Sequence, residues 1–333
     1  MTHGRYEHSF RAMNTRIEFK FQAAASGVEP LLLLTQNWFE TVEQRFSRFR
    51  MDSELCYLNR ANGETCLVSD HMLEVLQLAE VYRIKTEHVF EPFVLQALEG
   101  AGYSASFEQL GVNSLQSKQL YHDHKALAPS IAIDARMKSV RLPAGLQLDL
   151  GGIVKSWAVK RLASYFRKKR GVEQGLLNAG GDLLAWSSDP ANGHPWSIEI
   201  EDPWNPEKEL GVMSCSEKAA ATSSKLGRRW HNQQGAQHHL IDPRTMRSST
   251  SDTVQCTVIG EDPVECEIWS KTICILGREE GARLLLARAP GYEALVFTED
   301  RQCHMYGSSA SIESSWKSVD TGNFHFHGLM KNG

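Results

Sequence analysis

The stretch QLDLGGIVKSWAVKRLASYF, residues 147–166, decides the fold of this chain. Leu148 and Leu150 alternate with polar residues, two glycines follow at 151 and 152, and apolar residues then recur at helical spacing. The pattern predicts a strand, a tight turn and a helix over 153–170. The basic run RKKR at 167–170 and the glycine at 171 are typical of a helix C-terminus.

The start of this predicted helix suits an anion. Bare backbone N–H groups of the diglycine would face outward at the positive end of the helix dipole, and such ends bind phosphate. Asp149 and Lys155 lie on either side of the glycines. The segment is therefore a candidate diphosphate site, and the alternative is an ordinary packing turn between a strand and a helix.

The composition of the chain is that of a globular protein. Its 333 residues include 36 Lys+Arg and 40 Asp+Glu, which gives a net charge of -4, and 41% of them are hydrophobic. A chain with this weakly negative net charge does not attract the phosphate backbone of a nucleic acid, so no nucleic-acid partner is expected. An anionic ligand must instead be bound by positive groups at its own site. No linker-like or repeated segment divides the chain, which predicts one domain over 1–333.

The sequence shows no pattern typical of secretion, membrane insertion or disulfide formation. No stretch approaches the roughly 20 apolar residues of a membrane span, and the N-terminus lacks the pattern of a signal peptide. The seven cysteines are odd in number and form no CxxC pair, which indicates reduced, mostly structural thiols. We therefore expect a cytoplasmic protein with no membrane anchor.

Strand and helix patterns alternate along the chain. Period-two alternation predicts strands at 17–21, 196–200 and 254–258, and helical spacing predicts helices at 31–42 and 72–82, the latter capped by Ser69. A further helix should begin at Asp262, with a proline at its first position and Glu265 completing a capping box. The alternation favours a mixed α+β fold.

Two histidine pairs and the C-terminal segment show no pattern from which we assign a function. The histidine pairs at 122/124 and 325/327 have a spacing that could bind a metal. We expect the first pair to lie in a solvated loop and the second in a loose tail over 310–333. No metal is therefore assigned to either pair.

Seven segments, in order over about residues 11–300, resemble one family, the FAD:protein FMN transferases of the ApbE family. They are AMNTRIEF (12–19), FSRFRMDSELCYLN (46–59), FEPFVLQALEGAGY (90–103), LDLGGIVKSWAV (148–159), LLNAGGDLLAW (176–186), HLIDPRT (239–245) and ECEIWSKTICILG (265–277). The resemblance implies an α+β domain of T-fold type, with two related sheet-plus-helix halves around an FAD cleft. It also implies that FAD, with a divalent cation that is usually magnesium, donates FMN to a threonine hydroxyl of an acceptor flavoprotein and releases AMP.

The resemblance also implies roles for individual residues. The implied FAD contacts are Met13, Phe49, Glu91, Asp149, Lys155 and Ile241. His239 matches a histidine expected to activate the attacking hydroxyl, and the alternative is a histidine that only hydrogen-bonds its own Asp242-Pro243 turn. Gly152, through its backbone carbonyl, and Glu267 match metal-binding positions.

Lys271 departs from the family pattern, because it stands where a metal-binding threonine is expected. It could abolish metal binding and leave a non-catalytic FAD-binding paralogue, or its ammonium could act at the diphosphate and take part in catalysis. It could also form an ordinary i,i+4 salt bridge with Glu267 on a solvated face. Hydrolysis of the FAD pyrophosphate by water is a further alternative. Ser156, Ser224 and Met246 also stand where the family usually has glycine.

Overall fold

The fold is built on one large sheet. The structure, a computed structural model, describes residues 4–106, 129–189, 195–308, 316–317 and 324–328. Within these ranges nine strands form the sheet, in the order β1 (Gly4–Ala12), β2 (Thr15–Ala23), β6 (Gln174–Ala179), β7 (Asp182–Ser187), β10 (Ala219–Ser224), β15 (Thr253–Gly260), β16 (Glu293–Thr298), β17 (Cys303–Gly307) and β19 (Phe324–Gly328). Neighbouring strands are antiparallel except β17 and β19, which are parallel.

Smaller sheets flank this centre. One has the order β18 (Trp316–Lys317), β9 (Asn205–Cys215), β8 (Trp196–Asp202), and another has the order β3 (Thr65–Leu67), β5 (Ser139–Arg141), β4 (Ala132–Asp134). Two short hairpins pair β11 (Arg229–Asn232) with β12 (Gly235–His238) and β13 (Ile241–Asp242) with β14 (Arg247–Ser248).

The helices of the described part are α1 (Val28–Phe46), α2 (Glu54–Arg60), α3 (Asp70–Lys85), α4 (Leu95–Gly100), α5 (Val154–Arg170), α6 (Pro263–Leu276) and α7 (Arg278–Arg288). The expected helix 153–170 is confirmed, and it ends where Gly171 adopts a left-handed φ of 62°. Ser69 and Asp262 cap α3 and α6 as predicted, their side chains accepting hydrogen bonds from the N–H groups of Met72 and Val264.

The predicted alternation in β2 explains how α5 attaches to the sheet. Ile17, Phe19 and Phe21 have no exposed surface, whereas the residues between them are half-exposed. The Phe19 ring stacks on Phe166 of α5 at 4.9 Å between centroids. Because burial of apolar area drives this packing, α5 is fixed against the strands on which the site depends.

Helices α5 and α6 lie side by side and run antiparallel. Ser156, near the start of α5, bonds Glu267 in the middle of α6, whereas Lys160 further along α5 bonds Asp262 at the start of α6. Helix α5 packs on β6 and β7, and α6 packs on β10 and β15. The mixed α/β class is confirmed, while the relation between two halves stays an expectation.

Two local predictions were wrong. Residues 147–150 form no strand, because the backbone N–H and C=O of Leu148 bond the side-chain amide of Asn59 and the Asp149 N–H donates to the carbonyl of Pro92. Glu265 does not close a capping box, because its carboxylate accepts from the Trp269 indole and pairs with Lys85.

The C-terminus also differs from the expected loose tail. Strands β18 and β19 fall within 310–333, and β19 extends the main sheet because the free edge of β17 offers unpaired backbone groups. His325 and His327 lie on β19, where His327 Nε2 lies 3.1 Å from His304 Nδ1. The pair at 122 and 124 lies outside the described residues.

The structure also bears on two further expectations, that the cysteines are unpaired thiols and that no segment spans a membrane. All seven cysteines are free thiols, and all except Cys56 are buried. Across the described residues, every helix is too short or too polar to cross a bilayer.

Replacing Phe166 with alanine should cost about 3–5 kcal/mol in the free energy of unfolding, because the ring is fully buried against Phe19. Tyr165, its neighbour on α5, is 39% exposed, so Tyr165→Ala should cost less than about 1 kcal/mol. Urea unfolding of both variants measures the difference. Equal losses would contradict the described attachment of α5 to β2.

Candidate functional site

A cavity of about 340 Å³ opens beside the first turn of α5 and the middle of α6. All ten residues at positions where the family resemblance implies FAD binding, metal binding or catalysis line it, although they come from segments far apart in the chain. They are Met13, Phe49, Glu91, Asp149, Gly152, Lys155, His239, Ile241, Glu267 and Lys271. The fold therefore brings the candidate residues to one place.

The turn before α5 is held by an ion pair that the sequence did not reveal. Asp149 pairs with Arg48 at 2.9 Å, and its Oδ1 accepts a hydrogen bond from the Gly151 N–H at 2.9 Å. Arg48 lies over the Phe49 and Tyr103 rings, 4.2 and 4.5 Å from their centroids. The Gly151 N–H is thus already bonded, contrary to the expectation of a bare amide, and Asp149 shapes the turn.

A cluster of buried charges joins α5 to α6 beneath the cavity. The Lys155 ammonium pairs with Asp182 and lies 3.3 Å from Glu267 Oε1, while Ser156 donates to Glu267 Oε2 at 2.5 Å. The side chains of Lys155, Asp182 and Glu267 are 14%, 3% and 5% exposed. Lys155, expected to contact FAD, is therefore engaged within the protein.

The cluster shifts the pKa values of its members. Burial opposes the charge of Lys155, but Asp182 and Glu267 outweigh it and raise the pKa of the ammonium. Burial likewise opposes the charge of Glu267, but Lys155 and Lys271 lower the pKa of that carboxyl. Burial and the nearby Glu267 raise the pKa of Asp182 to about 7, against the influence of Lys155. Lys155 and Glu267 are thus held in their charged forms.

Lys271 forms no salt bridge with Glu267 among the described residues, and its ammonium lies beside Gly152. Burial lowers the pKa of Lys271, and the nearby Glu267 opposes that shift. A Cβ built on Gly152 would lie 1.8 Å from the Lys271 Nζ, so only glycine leaves room for the ammonium in this position. In the described part of the chain the ammonium has no hydrogen bond and no ion pair. A salt bridge on a solvated face is therefore wrong, because Glu267 is 4% exposed and is held by Ser156 and Lys155.

Arg228, which the sequence did not single out, is a second cation in the wall of the cavity. Within the described residues its side chain also has no hydrogen bond and no ion pair. The positive charges of Arg228 and Lys271 both reach His239. The wall of the cavity therefore carries two cations that form no hydrogen bond or salt bridge with the residues the structure describes.

His239 is a neutral imidazole at this end of the cavity. Burial, followed by the charges of Arg228 and Lys271, holds its pKa well below the ordinary value. The ring bonds the backbone of Arg228, whereas its Nδ1 is buried without a hydrogen-bond partner. The expected alternative, a bond to the Asp242 turn, is not seen, because Asp242 pairs with Arg244 instead.

The remaining wall is mainly apolar. Ile241 packs with Tyr103 and Trp230, and Phe49 lies against this cluster. Met13 has a φ of 53°, and its N–H donates to Glu43 at 2.8 Å. The Glu91 carboxylate, expected to contact FAD, is bound by Arg83 at 3.0 Å and by the Phe93 N–H at 3.1 Å, so its charge is matched within the protein.

The three residues that replace family glycines have different local roles. Met246 has a φ of 53°, a left-handed conformation that glycine adopts without strain. Ser156 bonds Glu267, and Ser224 accepts a hydrogen bond from the Leu226 N–H at the edge of the cavity.

A divalent cation does not fit these side chains. Both oxygens of Glu267 are engaged, the Lys271 ammonium lies against Gly152, and the described residues contain no group of three His, Cys, Asp or Glu side chains suited to a metal. A divalent ion about 4 Å from an ammonium is repelled by about 8 kcal/mol at an effective dielectric constant near 20. At equal distance that repulsion cancels the attraction of the ion for one carboxylate, and both oxygens of Glu267 already have partners.

Comparison with known proteins places the chain in a family. The sequence model of the ApbE family matches residues 13–296. The chain belongs to the ApbE family. Curated ApbE relatives include the FAD:protein FMN transferases of Klebsiella pneumoniae (strain 342), 28% identical over 47% of this chain and 47% of that protein, and of Treponema pallidum (strain Nichols), 24% identical over 78% and 75%. The match to the Klebsiella pneumoniae protein thus spans about half of the length of that relative.

Solved ApbE structures share the fold. The ApbE protein of Thermotoga maritima superposes with a TM-score of 0.77 at 21% identity, covering 90% of this chain and 96% of its own. The flavin transferase ApbE of Vibrio cholerae superposes with a TM-score of 0.74 at 22% identity, covering 94% and 99%. These similarities confirm the mixed α/β architecture expected from the ApbE resemblance.

Lys155→Met should lower the free energy of unfolding by about 3–5 kcal/mol, because it leaves the buried carboxylates of Asp182 and Glu267 without their cation. Lys160→Met on the same helix removes a pair in which the lysine is 43% exposed and should cost less than about 1 kcal/mol. Chemical denaturation at neutral pH compares the two. A loss below 1 kcal/mol for both would contradict the buried charge cluster.

Proposed function

We propose that this chain is an FAD:protein FMN transferase, which moves FMN from FAD to a threonine hydroxyl of an acceptor flavoprotein and releases AMP. The observation that carries the proposal is the single cavity lined by every candidate nucleotide residue of an ApbE-family sequence. Curated relatives with this printed name support the same assignment over the alternatives of a binding paralogue or a pyrophosphate hydrolase.

The two ends of the cavity suit the two parts of the substrate. The apolar wall of Met13, Phe49 and Ile241 can pack against flavin rings, since planar aromatic ligands bind to such surfaces. The cationic end, with Lys271 and Arg228 near Gly152, can hold the diphosphate. This orientation places the phosphorus atom to be attacked near His239.

The reaction is a displacement at phosphorus. The threonine oxygen forms a bond to the phosphorus on the riboflavin side, and the bond from that phosphorus to the bridging oxygen breaks. The bridging oxygen and its electron pair leave with AMP, while the hydroxyl proton passes to a base. Catalysis then consists mainly of positioning and of neutralising charge on the leaving group.

His239 is the proposed base. It is neutral, and its Nδ1 has no hydrogen-bond partner, so a lone pair is available to accept the threonine proton. Bound FAD would offset the charges of Arg228 and Lys271, which lower the pKa of His239 in the free protein. Burial is the larger cause of the lowered pKa, so bound FAD would weaken only the part due to these two cations.

The partners of the proposed enzyme follow from the reaction. They are FAD and an acceptor flavoprotein with a target threonine. We also propose that the protein acts in the cytoplasm.

Incubation with FAD and an acceptor domain of the family type tests the activity directly. We expect the acceptor to gain the mass of one FMN with an equal amount of AMP, measured by intact-protein mass spectrometry and chromatography. The assay is run both with magnesium and with EDTA, and an adduct in either buffer supports the function. AMP without an adduct would instead indicate hydrolysis, and FAD binding without either product would indicate a binding protein.

His239→Gln should reduce the rate of FMN transfer by about 10²–10⁴-fold, which is typical for loss of a general base, while FAD affinity changes little. His238→Gln is the matched control, because the neighbouring His238 ring bonds the Ser249 carbonyl at 2.9 Å and does not line the cavity. Single-turnover rates and FAD titrations measure both effects. An equal loss of rate in the two variants would assign His239 a structural role only.

A further inference from the structure

The feature that the family pattern does not explain is the unpaired ammonium of Lys271. Glu267 and Lys271 are four residues apart on α6 and would normally face each other. In this chain Glu267 turns to α5, where Ser156 and Lys155 occupy both of its oxygens. Lys271 is left without a partner among the described residues and extends to Gly152.

The direction of Lys271 matters because Gly152 lies at the entrance to α5. The ammonium occupies the space that a side chain at 152 would fill, beside the first turn of that helix. Gly152 and Glu267 are the positions expected to bind a divalent cation, and the ammonium lies at one of them while the other is engaged. The ammonium thus lies beside one of the expected metal-binding residues and carries the same sign of charge as the ion.

The charges of the cavity match a diphosphate. Asp149 pairs with Arg48, and Asp182 and Glu267 share Lys155, so each of these three carboxylates has a cation beside it. Lys271 and Arg228 are the cations of the described wall that lack such pairing. Two positive charges facing one cavity are the complement of the two negative charges on the diphosphate of FAD.

We propose that Lys271 neutralises the diphosphate of FAD in place of a divalent cation, so that FAD binding and FMN transfer need no metal ion. The transfer step rests on the proposed function, whereas the binding step does not. In the transfer step the ammonium lies beside the bridging oxygen that leaves with AMP and stabilises its negative charge. No further reactant is required, since the threonine hydroxyl supplies the new bond and His239 accepts its proton.

The test compares FAD with riboflavin, which lacks phosphate, in EDTA and in magnesium. Dissociation constants are measured by flavin fluorescence for the wild type, Lys271→Met and the control Lys160→Met, whose lysine lies on α5 outside the cavity. The wild type should bind FAD equally in both buffers, within about twofold. Lys271→Met should weaken FAD binding in EDTA by about 10- to 100-fold, as expected for loss of a charged hydrogen bond.

Riboflavin separates this effect from misfolding. Its affinity should be the same in all three proteins, because the flavin rings contact the apolar wall and not Lys271. Lys160→Met should bind both ligands like the wild type. Equal weakening of riboflavin and FAD in Lys271→Met would overturn the proposal, and so would FAD binding by the wild type that requires magnesium.

Transfer assays in the same buffers distinguish the two proposals. If FAD binds in EDTA through Lys271 and no adduct forms under any condition, the proposed function fails and the assignment of Lys271 stands. If the adduct forms only with magnesium, the function stands and the replacement of the cation by Lys271 is overturned.

Discussion

The buried contact between α5 and α6 is the interaction on which the rest of the structure depends. Lys155 on α5 forms ion pairs with Asp182 and Glu267, and Ser156 completes the hydrogen bonding of Glu267. Charges buried to this degree are tolerated only when they are paired and hydrogen-bonded. The contact therefore fixes how the two helices lie against each other, and with them the floor of the cavity that opens beside the diglycine.

This constraint determines the electrostatics of the cavity. Because Glu267 is committed to α5, it neither coordinates a divalent ion in the described arrangement nor pairs with Lys271. Burial, followed by the charges of Arg228 and Lys271, lowers the pKa of His239, and a bound anion would offset the contribution of those two charges. A pocket that is apolar at one end and cationic at the other is suited to a flavin carrying a diphosphate.

The sequence predicted helices and strands better than it predicted which side chains contact each other. The periodicity of β2, the N-cap residues of α3 and α6 and the glycine stop of α5 are local signals, and all were confirmed. The candidate residues taken from the family motifs also line one cavity. Local patterns could not show that Arg48 binds Asp149, that Asp182 binds Lys155 or that Arg228 faces His239, because these contacts join residues from different segments of the chain. The failed strand at 147–150 has the same cause, since the Asn59 side chain takes the backbone bonds of Leu148.

The central claim is that a lysine takes the place of a metal ion at the diphosphate. The most direct measurement is a crystal structure of the protein with FAD grown in the presence of magnesium. The account predicts the Lys271 Nζ within about 3.2 Å of a diphosphate oxygen, with Glu267 still bonded to Ser156 and Lys155. A divalent ion coordinated by Glu267 and the Gly152 carbonyl, with Lys271 turned away from the diphosphate, would contradict it.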